Sequence, residues 1–220
     1  MDFNPVFKFL KALSKNNNRE WFEKNKPAYL ILKQNFEQFI GSFLNDLIKV
    51  DSSLGGLDPK KLTFRIYRDV RFSKDKTPYK KNMSAGFSPS GKLIHEPGYY
   101  LHIEPGNKSM LAGGLYLPDS QNLSKIRQEI DYNGDVLRRI INNKVFKHTF
   151  GDFDYSDTLK TVPKNFAKDH EYAEWLKLKS YIVVRQFTDK EVLDNKFQKN
   201  AIAVCKTLKP LNDFIKQALD

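Results

Sequence analysis

Six large apolar side chains, Leu32, Phe36, Phe39, Ile40, Phe43 and Leu47, recur at steps of three and four over sixteen residues. That spacing lines one side of an α-helix and leaves the other side polar, so the segment must lie against a large apolar surface. A groove for a cofactor or a partner helix would use the same pattern, but a stripe at this spacing reads first as core. Pro27 is the natural first residue of this helix. A shorter helix, Arg19–Asn25, is expected before it with Asn17 or Asn18 as cap, and another starts near Pro5 with Phe7, Leu10 and Leu13.

The surface that meets the stripe has to come from the middle of the chain, where the period changes from helical to alternating. Residues 63–67, 82–88, 98–104 and 110–117 read as strands, and Tyr181–Phe187 reads as a last one. Gly113-Gly114 marks a bulge or a close backbone approach. Helical patterns return with Leu123, Ile126 and Ile130, again with Val136, Leu137, Ile140 and Ile141, then over His170–Lys179. A terminal helix, Phe197–Leu219, is expected to bend or break at Pro210. Strands clustered between helical ends predict an α+β fold, with a central, mainly antiparallel sheet and helical N- and C-terminal regions packed on it. One domain over residues 1–220 suits the length, and seventeen Phe with ten Tyr suit a core of rings.

No apolar run is long enough to cross a bilayer, and Lys8 and Lys11 interrupt the only apolar stretch near the N-terminus. Cys205 is the single cysteine and has no partner for a disulfide, which suits a reducing compartment; a cytoplasmic location and no membrane partner are expected. Its neighbours Ile202, Ala203 and Leu208 make it a buried thiol rather than a nucleophile. Phosphate-loop, dinucleotide-binding, nucleophile-elbow and zinc-binding patterns are all missing, so the sequence specifies no cofactor or metal.

The net charge of +11 is unevenly spread: residues 60–92 hold ten basic and two acidic groups. Within them, Arg65–Lys81 carries seven basic groups, Asp69 and Asp75, Ser73, Thr77, Tyr67 and Tyr79. Pro78 suits the first position of a short helical turn capped by Thr77, with free amides flanked by Lys74, Lys76 and Lys80. Arg68 and Arg71 could add bidentate contacts to a phosphate or carboxylate, and Arg65 would help to hold the charged group. The competing reading is an ordered loop in which Asp69 and Asp75 neutralise the same cations, or a solvated charge run.

The run Arg68-Asp-Val-Arg-Phe-Ser-Lys-Asp-Lys-Thr-Pro-Tyr-Lys80 resembles the signature of family 2461 of the domains of unknown function, a bacterial and fungal family of conserved hypothetical proteins. Asn17-Asn-Arg-Glu-Trp-Phe22, Gly98-Tyr-Tyr-Leu-His-Ile-Glu-Pro-Gly106 and Gly113-Gly-Leu-Tyr-Leu-Pro118 leading into Ile126-Arg127 resemble it too. The resemblance covers nearly the whole chain. It implies one domain and carries no activity.

Alternation over 98–104 projects Tyr100, His102 and Glu104 from one side of a strand and Leu101 and Ile103 from the other. A histidine beside a carboxylate is the simplest general-base pair. One histidine and one carboxylate are half a metal site, and a self-satisfied polar sheet face is the plainer alternative. His95, His148 and His170 carry no spacing signal. If 63–67 neighbours 98–104, then Arg65 and Tyr67 would share the face of His102 and Glu104, roofed by Arg68, Arg71 and Lys74. The expected function is binding of an anionic, phosphate-bearing ligand at 65–81, with acid/base chemistry at His102 and Glu104 as its enzymatic form. A non-catalytic module for nucleic acid or an acidic protein, and a structural protein with a self-paired loop, are the alternatives.

Overall fold

Asn18 accepts a hydrogen bond from the Trp21 amide (2.9 Å) and so caps a helix that runs unbroken from Arg19 to Ile48 (α2). The computed structural model describes residues 1–92 and 96–220. Pro27 does not open a new helix as expected: it sits on the exposed side of α2, where water can bond the Glu23 carbonyl that it leaves unpaired. All six stripe residues are buried, and α1 (Asn4–Lys15) packs beside them through Val6, Phe7, Leu10 and Leu13.

After α3 (Pro59–Leu62), strands β1 (Met83–Phe87), β2 (Gly98–Ile103), β3 (Ser109–Leu115) and β4 (Tyr181–Phe187) form one antiparallel sheet in the order β1-β2-β3-β4. Its odd-numbered side chains on β2 and β3, among them Tyr99, Leu101 and Leu111, face the helices and are buried. Phe43 of α2 meets Phe87 on that side at 5.4 Å. The C-terminal helix α8 (Phe197–Leu219) lies over β3, where a Cβ on Gly113 would stand 2.1 Å from Leu208. The paired glycines therefore mark a close approach: Gly114 has φ +105°, and a Cβ there would stand 1.9 Å from the Tyr181 carbonyl oxygen.

Two expected helices after β3 are one, α4 (Ser120–Ile141), with non-helical dihedrals at Asn133. The next residue, Gly134, gives room to the Tyr172 ring, 2.2 Å from where a Cβ would be. Between α4 and β4 come α5 (Lys144–Phe150), capped by Asn143, and α6. The latter covers only Ala173–Leu176, far less than the expected 170–179, because Leu178 turns into a bridge with Thr158. The short α7 (Asp189–Leu193) precedes α8, which continues through Pro210; that ring is on the exposed side, as Pro27 is. Phe39, Phe197 and Phe3 meet at 5.1–6.4 Å and join the two ends of the chain in one cluster of buried side chains.

The expected strand at 63–67 does not form. Thr63 bridges Ala85, the Phe64 amide donates to the Ser84 carbonyl (2.9 Å), and the chain then leaves β1. Tyr67 pairs with Tyr79 instead, closing a hairpin-like loop on itself. Burial of Tyr79 drives the departure: its ring stacks on Phe22 at 4.0 Å, and Asn17 holds its backbone through bonds to both the amide and the carbonyl.

Candidate functional site

The bridge between Thr63 and Ala85, continued through Leu101, sets which side chains share a face. Odd residues stand opposite odd ones, so Phe64, not Arg65, falls on the row of Ser84 and His102, opposite to the expected arrangement. A one-residue offset exchanges the two faces of a strand. Phe64 meets Tyr100 edge-on at 5.9 Å, whereas Tyr67 packs on Phe22 (6.0 Å) and Tyr79 (5.4 Å), towards the N-terminal helices. Arg65 is exposed beyond the sheet edge.

On the even face of β2, three side chains form a chain of hydrogen bonds. The Nε2 of His102 lies 2.9 Å from Glu104 Oε2, and its Nδ1 lies 3.2 Å from the Tyr100 hydroxyl. A carboxylate only accepts, so the neutral ring carries its proton on Nε2 and Nδ1 accepts from Tyr100. Burial, which leaves 12% of the His102 side chain exposed, pushes its pKa down; Lys80 adds to this and Glu104 opposes it. Burial also raises the Tyr100 phenol above its ordinary value. Tyr100 thus remains a hydroxyl, held by a histidine that is neutral near pH 7.

The loop between Arg65 and Lys81 is ordered largely by its own groups. Arg68 donates through Nη1 to Asp75 (2.7 Å) and to the Thr77 carbonyl (3.0 Å) and hydroxyl, and through Nη2 to Ser73 (3.3 Å). The Thr77 amide donates to Asp75 Oδ1 (2.9 Å). Thr77 bonds and Arg68 together hold the Asp75 carboxyl at about 2. The expected helical turn at Thr77-Pro78 is therefore absent, because Asp75 takes the amide a helix start would leave open and Tyr79 is drawn into its bridge. Arg71 forks onto Asp69 (2.7 Å), and Lys76 donates to the Val70 carbonyl (3.0 Å). At the tip, Phe72 is 95% exposed, with the Arg71 guanidinium 5.7 Å from its ring. Lys74 makes no ion pair among the described residues.

Cations also gather where the loop returns to the sheet. Lys80 and Lys92 stand 5.4 and 5.6 Å from the Phe64 ring centre. Burial first, then Arg65 and Lys92, lowers the Lys80 pKa. Among the described residues none of the three is in an ion pair. Lys92 escaped the sequence reading because it lies outside the 65–81 run; its only signal is the charge density over 60–92.

Beside this cluster the even sheet face is hollow. A cavity of about 800 Å³ is lined by Phe64, Tyr100, Met110, Ala112, Ile182 and Val184, with Phe150 and Phe153 from beyond β4. Glu96, Asp152, Asp154 and Gln186 are its charged or amide-bearing lining groups. Of the expected site residues only Tyr100 lines it; Arg65, Arg68, Arg71, Lys74, Tyr67, His102 and Glu104 do not. No three metal-ligating side chains come together among the described residues. Cys205 is buried and its thiol pKa is pushed up by burial. His170 bonds Asp131 at 2.9 Å, His148 lies on α5, and His95 falls outside the described residues.

Among the described residues no helix is long and apolar enough to cross a membrane. Compared with known families, residues 5–214 match the model described as conserved hypothetical protein (DUF2461). No curated protein and no solved structure matches the chain.

Proposed function

Since the chain belongs to the DUF2461 family of conserved hypothetical proteins, whose description states no activity, we propose a function from its site: binding of a phosphate-bearing anion by Lys80, Lys92 and Arg65, beside Tyr100 and His102. The observation that carries this reading is the convergence of three cations, none of them in an ion pair among the described residues. Each raises the energy of the others, as the lowered Lys80 pKa expresses, and an anion would relieve that repulsion. Arg68 and Arg71 serve the site indirectly, since their aspartates order the loop that delivers Lys80. In the enzymatic form of this reading, Tyr100 presents its hydroxyl to the ligand and His102, oriented by Glu104, takes or returns the proton.

Calorimetric titration with pyrophosphate tests it. Lys80→Ala with Lys92→Ala should weaken binding at least about tenfold, the scale of one lost charge-assisted contact. Equal affinity in the variant and the parent would remove the reading.

A second reading has its own observation. Phe72, almost fully exposed with the Arg71 guanidinium 5.7 Å from its ring, resembles the aromatic-plus-guanidinium platforms on which unpaired bases stack. It supports a module for single-stranded nucleic acid at the loop tip.

A further inference from the structure

We infer that the ligand is an amphipathic anion, with its charged head at Lys80 and Lys92 and a flat apolar body in the cavity behind Phe64. The inference rests on the anion reading above and adds the chemical class of the ligand. Phe64 belongs to both parts: its ring is the one the two ammonium groups approach, and it also lines the cavity. The cavity's volume of about 800 Å³ falls in the range of small-molecule sites, roughly 300–1,000 Å³. Inorganic phosphate would leave nearly all of it empty.

The lining also dictates orientation. No Lys or Arg lines the cavity, and Glu96, Asp152 and Asp154 are its acidic lining residues. Asp152 and Asp154, beside β4, disfavour an anionic head at their end of the cavity, and Glu96 is tied to Ser90 at 2.8 and 2.9 Å, which leaves the Phe64 end with its cations as the place for the head. The floor is Tyr100, Met110, Ala112 and Val184 on three hydrogen-bonded strands, so it is apolar and does not need to be organised by the ligand. Tyr100 is the one hydroxyl of the bonded triad on this floor, which sets it against the junction of head and body.

The test compares three probes by calorimetry: inorganic phosphate, phenyl phosphate and benzyl alcohol. Phenyl phosphate should bind at least about tenfold more tightly than inorganic phosphate, because the ring is removed from water. Val184→Trp should abolish that gain and leave the affinity for inorganic phosphate within about twofold; Ala112→Phe serves if the first variant does not fold. Equal affinity for the two phosphates overturns the inference and leaves the anion reading standing. Benzyl alcohol binding as tightly as phenyl phosphate also overturns it, since the cavity would then act without the cations. If neither phosphate binds the parent protein, the anion reading fails and this inference with it.

Discussion

Lys80 and Lys92 direct their ammonium groups at one ring, that of Phe64, from 5.4 and 5.6 Å. Burial and the neighbouring cations disfavour the charged form of Lys80. A bound anion favours that form, so binding takes up protons. Pyrophosphate affinity should therefore fall as pH rises through the lowered Lys80 pKa, somewhere below the usual value of about 10.4. Calorimetry across that range checks it; an affinity flat with pH would exclude Lys80 from the site.

His102 makes a separate prediction about stability. Its folded pKa lies below its unfolded value, so on acidification the unfolded chain takes up a proton that the folded protein resists. The folded state is fully stable, as far as this group goes, above about pH 6.5 and loses stability as pH falls from there towards the folded pKa. Thermal melts of the parent and of His102→Asn should converge in their pH dependence only if this is wrong; the variant should be the flatter of the two.

Asp75 acts in a lower window. Its carboxyl, held at about 2 by Thr77 and then Arg68, favours the folded loop above its unfolded pKa and loses that effect as pH falls towards 2. Asp75→Asn should speed hydrogen exchange at the Thr77 amide at neutral pH while leaving the global unfolding transition nearly in place. Unchanged exchange would show that the loop does not depend on this carboxylate.

Gly114 is a backbone requirement. At φ +105°, with the Tyr181 oxygen where a Cβ would go, Gly114→Ala must move β3 against β4. The expected cost is at least about 2 kcal/mol, read from denaturant unfolding. A loss within about 0.5 kcal/mol would mean that the strands adjust freely.

Phe72→Ala removes a side chain that touches little, so stability should stay within about 0.5 kcal/mol of the parent. Binding of single-stranded DNA, measured by fluorescence anisotropy, should weaken if the loop tip is a stacking platform. Unchanged binding would eliminate that second reading.

Much of the fold could be read from periodicity, because α2, α8 and the four strands bury faces whose spacing survives any tertiary detail. Leu32 to Leu47 is the clearest case. Pro27 and Pro210 misled because their cost depends on whether the freed carbonyl meets water, and single-sequence patterns do not show which side of a helix is wet. The site was half legible. Tyr100, His102 and Glu104 share a face because alternation along one strand is local, whereas the partnership of Arg65 with His102 depended on register between strands. That register is set by the bridge of Thr63 to Ala85, after which the burial of Tyr79 on Phe22, far away in sequence, draws the chain off β1, and no pattern around Arg65 announces either. Asp69 and Asp75 were visible as competitors for Arg68 and Arg71, but only geometry shows that they take them up.

The short bridge at Thr63 and Phe64 has a consequence for how molecules meet one another. An outer strand with bare amides and carbonyls invites pairing with a neighbouring molecule. Here the Ser84 carbonyl on β1 is taken by Phe64, and on the opposite outer strand the Ile182 carbonyl is taken by the Asp154 amide at 3.0 Å. A strand arriving from a second molecule would have to break one of these bonds before extending the sheet, and on the β1 side it would do so against Lys80, Lys92 and Arg65. A chain with seventeen phenylalanines thereby keeps both flanks of its sheet poorly suited to templated association.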